Sequence, residues 1–149
     1  MATHDSCLVV VDAWKNCEQE DLEQYPWLET ETKLFGSFLN HQIKLISTNA
    51  DIFYLSSGRE LMDEIDATFG KIITTIEDLP LYNTTYFCGF HLGRCIYNNI
   101  KRLQNNRYGV ILNLSMVFPE DSYSHYFNKN IKNNYFYSYK DGFEKCNIN

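Results

Sequence analysis

The chain opens on an unbroken apolar run, Cys7-Leu-Val-Val-Val, closed by Asp12. Such β-branched runs without alternation are strands covered on both faces, as in parallel sheets. Four more segments read as strands: Asp51 to Ser56, Lys71 to Ile76, Thr84 to Gly89 and Tyr108 to Leu114. Helical spacing governs the stretches between them. Leu34, Phe35, Phe38, Leu39, Ile43 and Ile46 predict a helix over 32–46, with Thr30 as a candidate N-cap. Leu61 and Ile65, at i and i+4, predict a short helix from Arg59 to Ala67. Ile96, Ile100 and Leu103 predict another from Gly93 to Gln104. Residues 15–31, polar and acidic around Pro26 and Trp27, read as a loop.

Strands that alternate with helices require crossover connections. The expected fold is therefore α/β: a three-layer, Rossmann-like arrangement with a mainly parallel sheet of five or six strands flanked by helices. In such sheets ligands sit beyond the carboxyl ends of the strands. Asp12 and the loop after Gly89 both fall at such ends, so two strand ends converge on one cleft.

Composition narrows the picture. A length of 149 residues fits one domain, read here as 1–149. The net charge of −6, with no basic run, argues against nucleic acid as a partner. No stretch is long and apolar enough to predict a membrane span or a leader peptide, so a cytoplasmic protein is expected. Five cysteines without CxxC spacing then read as reduced thiols. Plentiful Asn, Tyr, Ile and Lys fit an AT-rich genome, such as a viral one. From about Pro119 the chain turns to Asn, Tyr and Phe, which reads as an aromatic segment packed along the sheet edge or across a subunit boundary. Three lysines there, Lys129, Lys132 and Lys140, are too few for a base-stacking platform.

The sharpest local signal is Gly89-Phe-His-Leu-Gly-Arg-Cys95 ahead of a helix. A thiol in the first turn of a helix meets free backbone N–H groups and the positive end of the dipole, which favour the thiolate. The same N–H groups could hold an oxyanion, and Arg94 adds charge beside them. Asp12 is the natural carboxylate to take the thiol proton. Free cysteines are also among the most buried residues, and an Asp at a strand end can simply cap a loop.

Two motifs carry a resemblance to a known family. Val9-Val-Val-Asp12-Ala-Trp-Lys-Asn16 is similar to the opening strand of the isochorismatase-like cysteine hydrolases. Gly89 to Cys95 resembles that family's Gly-Val-Ala-Thr-Asp-x-Cys turn, with the same six-residue step. The resemblance spans roughly residues 7–118 in element order. It implies Cys95 as nucleophile, Asp12 as its base, and Phe90, His91 and Arg94 as the turn and oxyanion residues, with a cis peptide between Phe90 and His91. It implies hydrolysis of a small amide or related C–N bond through a thioester, with no cofactor. Departures accompany it. The family's lysine follows the third strand, where this chain has Ile76-Glu-Asp-Leu-Pro80. Lys71, which opens that strand, and Lys15 are the candidate cations. Leu92 and Gly93 replace the family's Thr-Asp pair, and Asn16 stands where many relatives carry a second acid.

Some relatives hold a metal with an Asp and two His. His4, His41, His91 and His125 lack paired spacing, so no metal is expected. Three readings follow. The chain is a cysteine amidohydrolase acting on a small molecule, a binding or assembly module on the same fold, or a redox-sensing thiol at Cys95 with Cys88 as resolving partner. A homo-oligomer is expected in either of the first two, with Trp27, Phe118 and the terminal tyrosines available for an interface.

Overall fold

The first apolar run forms the middle strand of a sheet. The computed structural model describes residues 4–15, 19–90, 95–103, 108–116 and 136–146. The run becomes β1 (Ser6–Val11), followed by helices α1 (Gln19–Gln24) and α2 (Leu28–Ile46) and strands β2 (Asp51–Leu55), β3 (Lys71–Ile73) and β4 (Thr84–Gly89). Helix α3 (Tyr97–Arg102) and strands β5 (Tyr108–Ser115), β6 (Phe136–Tyr139) and β7 (Phe143–Lys145) complete the order. The strands lie as β3-β2-β1-β4-β5-β6-β7. All neighbours pair parallel except β6 and β7.

Each face of β1 is covered, which is why its sequence shows no alternation. Leu8 and Val10 turn toward α2 and pack with Tyr54, Cys88, Leu39 and Ile43. Cys7, Val9 and Val11 turn the other way, toward Phe87, Val110, Ile96 and the α3 residue Ile100. These side chains are essentially inaccessible to water, and each contributes about 2 kcal/mol of apolar transfer energy. Two helical layers therefore clasp one sheet, the three-layer α/β arrangement expected. Among the described residues no helix is long and apolar enough to cross a membrane.

The elements differ from expectation in four places. Part of the expected loop 15–31 is helical, because Leu28 is wholly buried and draws the start of α2 forward. Glu29 and Glu31 in the first turn suit the helix dipole, and Thr30 does not serve as the cap. The face of α2 on the sheet carries Leu28, Thr32, Gly36, Leu39, Ile43 and Ile46. Leu34 and Phe38, which helped to set the helical spacing, point to solvent. The expected helix from Arg59 to Ala67 is absent. Its backbone pairs with the segment after β1: Lys15 N–H donates to Glu60 O at 2.8 Å, and Met62 N–H to Ala13 O at 2.9 Å. Only a single 3-10 turn, Ala67–Phe69, remains.

The third strand ends at Ile73 rather than Ile76. Thr75 donates to the Asp78 carboxylate from both its N–H and its hydroxyl at 3.3 Å, which opens a 3-10 turn over Ile76–Asp78. Part of the aromatic tail is strand, so the sheet has seven strands rather than five or six. Tyr86 of β4 stacks on Phe143 at 3.9 Å and meets Tyr137 edge-on at 5.3 Å. The Asn113 side chain bonds both the N–H and the carbonyl of Tyr139 and so prolongs the β5–β6 pairing. Residues 117–135 lie outside the described residues.

Two predictions follow from the central strands. Gly89 has φ 120, and a Cβ there would stand 2.4 Å from the Val11 carbonyl oxygen. Gly89→Ala should cost about 3 kcal/mol, seen as a lower urea midpoint with an unchanged slope. Burial pushes the Cys7 thiol from 9.0 up to about 12, and pushes the Cys88 thiol and the Tyr54 hydroxyl upward too. These groups keep their protons in the folded state while the unfolded chain releases them. Stability should therefore fall as pH rises from about 9 toward 12, read as urea midpoints at successive pH values.

Candidate active site

β1 and β4 run parallel and in register, with Val11 opposite Gly89. Their carboxyl ends therefore open side by side. Asp12 follows directly from the first. Cys95 follows the second after Phe90 and four residues, 91–94, that lie outside the described ones.

Asp12 is 9% exposed and holds φ 55, a left-handed conformation that Asp tolerates better than most residues. Its N–H donates to Leu55 O at 3.2 Å, and its carbonyl accepts from Trp14 N–H at 2.8 Å. Neighbours on both sides thus hold it in a costly conformation, a pattern concentrated at functional sites. Trp14 fixes the next step. Its indole N–H donates to Ser56 O at 2.8 Å, and the Arg59 guanidinium lies 3.8 Å over its ring. Trp14 also bridges to Leu61, which closes the rim against the loop after β2.

On the β4 side, Gly89 O accepts from Met116 N–H at 2.7 Å and Phe90 N–H donates to Val11 O at 3.1 Å. Phe90 is buried, its ring edge-on to Phe35 at 5.3 Å. Phe90 thus anchors the turn, and its amide hydrogen is directed to Val11 rather than to an oxyanion. His91 and Arg94, and with His91 the Phe90–His91 peptide, lie outside the described residues.

Cys95 is half-buried. It stands in a wide, π-type turn that runs directly into α3, within the described part of the helix expected from Gly93 to Gln104, whose two ends lie outside the described residues. The Asn99 side chain, four residues on, donates to Cys95 O at 2.8 Å and ties the turn to the helix. Sequence reasoning missed Asn99, although its i+4 spacing from the cysteine was visible. It missed Arg59 as well, because the contact with Trp14 depends on the loop path.

The two candidate cations lie apart. Lys15 is on the rim beside Asp12, with its ammonium 3.6 Å from both Glu60 and Asp63. Lys71 opens β3 at the amino end of the sheet. There it lines a cavity of about 360 Å³ together with His4, Asp51 and Tyr82. Asp51 accepts from the Tyr82 hydroxyl at 2.7 Å and lies 2.7 Å from His4 Nδ1. Past the other end of β3, Glu77 is clamped by Arg102 of α3 at 2.6 Å, which holds its carboxyl below the usual range. Cys88 faces α2, whereas Cys95 packs with the opposite core. A bond between them would have to cross the sheet, which removes Cys88 as a resolving partner. Among the described residues no group of three or more His, Cys, Asp or Glu is placed to hold a metal ion.

No family profile and no curated protein sequence matches the chain. Among solved structures it is similar to an N-carbamoylsarcosine amidase from Thermoplasma acidophilum, at 14% identity and a TM-score of 0.57. The match covers 85% of this chain and 92% of that one. Similarity at this level concerns the fold, which is isochorismatase-like and Rossmann-type.

Trp14→Ala removes the ring, its hydrogen bond and the seat of Arg59. It should cost about 2 kcal/mol and speed hydrogen exchange at the Lys15 and Met62 amides well beyond that at β1. Equal acceleration everywhere would mean the rim is not a local unit.

Proposed function

We propose that the chain is a cysteine-dependent hydrolase of small amides or related C–N bonds, with Cys95 as nucleophile and Asp12 as its base. The observation that carries this reading is the register of β1 and β4, which opens a buried, strained Asp12 and the cysteine turn at adjacent strand ends. The likeness in fold to an amidase that acts, by its name, on N-carbamoylsarcosine supports the reaction class and suggests N-carbamoyl compounds as first substrates.

In the proposed reaction the Asp12 carboxylate takes the thiol proton as sulfur attacks the carbonyl carbon. The C–S bond forms and the carbonyl electrons move to oxygen. Collapse of that adduct breaks the C–N bond, and Asp12 returns the proton to the leaving nitrogen. Water then adds to the thioester with Asp12 again as base. The C–S bond breaks, the acid leaves and the thiol regains its proton. No cofactor enters these steps. The positive charge that would steady thiolate and oxyanion falls to Arg94 and to Arg59 on the rim, since Lys71 lies at the far end of the sheet.

A second reading, a binding or assembly module without turnover, is favoured by two observations. Acids follow β3 where the family's lysine would stand, and Lys15 faces Glu60 and Asp63.

Ammonia or amine release from a panel of N-carbamoyl amino acids, nicotinamide and simple amides separates the two. Hydrolysis by the wild type should fall at least about 100-fold in Cys95→Ala, with an unchanged melting temperature, and survive in Cys88→Ala. Turnover retained by Cys95→Ala would refute the mechanism. A folded wild type inert on the whole panel would favour the binding module.

A further inference from the structure

The amino ends of the strands carry features that the proposed reaction does not use. The cavity of about 360 Å³ lies there, at the far end of the sheet from Asp12, and is large enough for a small molecule. Two opposite charges line it. Asp51 opens β2 and Lys71 opens β3. Phe53 pairs with Lys71, and side chains two apart on a strand share a face, so Asp51, Phe53 and Lys71 project from one face of the sheet. Asp51 and Lys71 stand on a diagonal of that pairing, roughly 7–8 Å apart at the backbone. They do not close on each other. Among the described residues the Lys71 ammonium makes no ion pair.

Asp51 is fixed in place. One carboxylate oxygen accepts from the Tyr82 hydroxyl at 2.7 Å, and the other lies 2.7 Å from His4 Nδ1. Its side chain is only 16% exposed, so water screens its charge poorly. A clasp of the segment before β1 onto β2 accounts for these bonds. Lys71 alone would be an ordinary edge-strand lysine. What singles it out is the fixed carboxylate across the same cavity. Apolar walls complete the site: Tyr82 meets Phe53 edge-on at 5.8 Å, and half-buried Phe69 borders the opening.

These charges select the ligand. An anion alone would meet Asp51, and a cation alone would meet Lys71. A short molecule bearing both charges and an apolar body satisfies all three surfaces. Helix α2 ends on the same rim at Ser47, and the carboxyl end of a helix favours a positive group. We propose that this cavity binds a free α-amino acid with an apolar side chain. Its ammonium faces Asp51, its carboxylate meets the Lys71 ammonium, and its side chain covers Phe69 and Tyr82. Lys71 is exposed and its contact is screened, so a dissociation constant on the order of 1 mM is expected.

L-phenylalanine and L-leucine are the probes. Phenethylamine, which lacks the carboxylate, and phenylpropionate, which lacks the ammonium, are the controls. Amide NMR spectra of the full chain read occupancy residue by residue. Both amino acids should shift the amides of residues 50–53 and 69–71 and leave the Trp14 indole signal unmoved. Each control should bind at least about 10-fold more weakly than phenylalanine. Lys71→Ala should weaken phenylalanine at least about 10-fold and leave phenethylamine unchanged. Asp51→Asn should weaken phenylalanine and spare phenylpropionate. If Asp51→Asn does not fold, Lys71→Ala and the two controls decide, because an exposed lysine can be replaced without loss of the fold. No shift with either amino acid up to about 20 mM would overturn the proposal, leaving Asp51 as a clasp only. Equal binding of phenylalanine and the controls, unchanged affinity in Lys71→Ala, or shifts centred on Trp14 would overturn it as well.

Discussion

Val11 and Gly89 lie side by side on adjacent parallel strands, and the path of everything beyond them depends on how closely they approach. A Cβ on Gly89 would meet the Val11 carbonyl, so the strand can turn there only because the residue is glycine with positive φ. The turn sends Phe90 back to bond Val11 O and plants its ring against Phe35 of α2. Asp12 leaves the other strand in a left-handed conformation, held by Leu55 and Trp14. One tight crossing of backbones thus fixes the direction of both segments that carry the candidate chemistry.

The parts of the fold legible in the sequence were those where burial is symmetric. β1 and β2 are covered on both faces, and their uninterrupted apolar runs say so. α2 was legible only in outline. Its buried face includes Thr32 and Gly36, which carry no apolar signal, while its exposed face carries Leu34 and Phe38, which do. Periodicity therefore found the helix but mixed its two faces. Residues 59–67 misled for a different reason. Leu61 and Ile65 have helical spacing, yet the backbone there is used to pair with the segment after β1, a tertiary demand invisible to local pattern. The last two strands were hidden by composition, because Tyr137 and Phe143, which pack on Tyr86, read like part of a polar-aromatic tail.

For the site, the sequence pointed to two strand ends, and their register is what brings them together. What it could not provide was the local electrostatics. Lys71 opens its strand, which puts it at the far end of the sheet, and the structure has it there; Lys15 looked available as a cation but stands beside two carboxylates. The Arg59 guanidinium, stacked on Trp14, sits on the rim only through the loop's path. The ring contacts also join site and surface. Phe38, exposed on α2, lies 6.3 Å from Phe35, which meets Phe90 of the turn before Cys95.

The central claim is that Cys95 is held as a reactive nucleophile at the shared end of β1 and β4. Its most direct test is the rate of Cys95 alkylation by iodoacetamide as a function of pH, followed peptide by peptide with half-exposed Cys146 as the internal reference. The account predicts that Cys95 outpaces Cys146 and keeps reacting well below pH 7, with an apparent pKa far under the ordinary value of about 8.5. A Cys95 that is inert, or that titrates near that ordinary value, would contradict it.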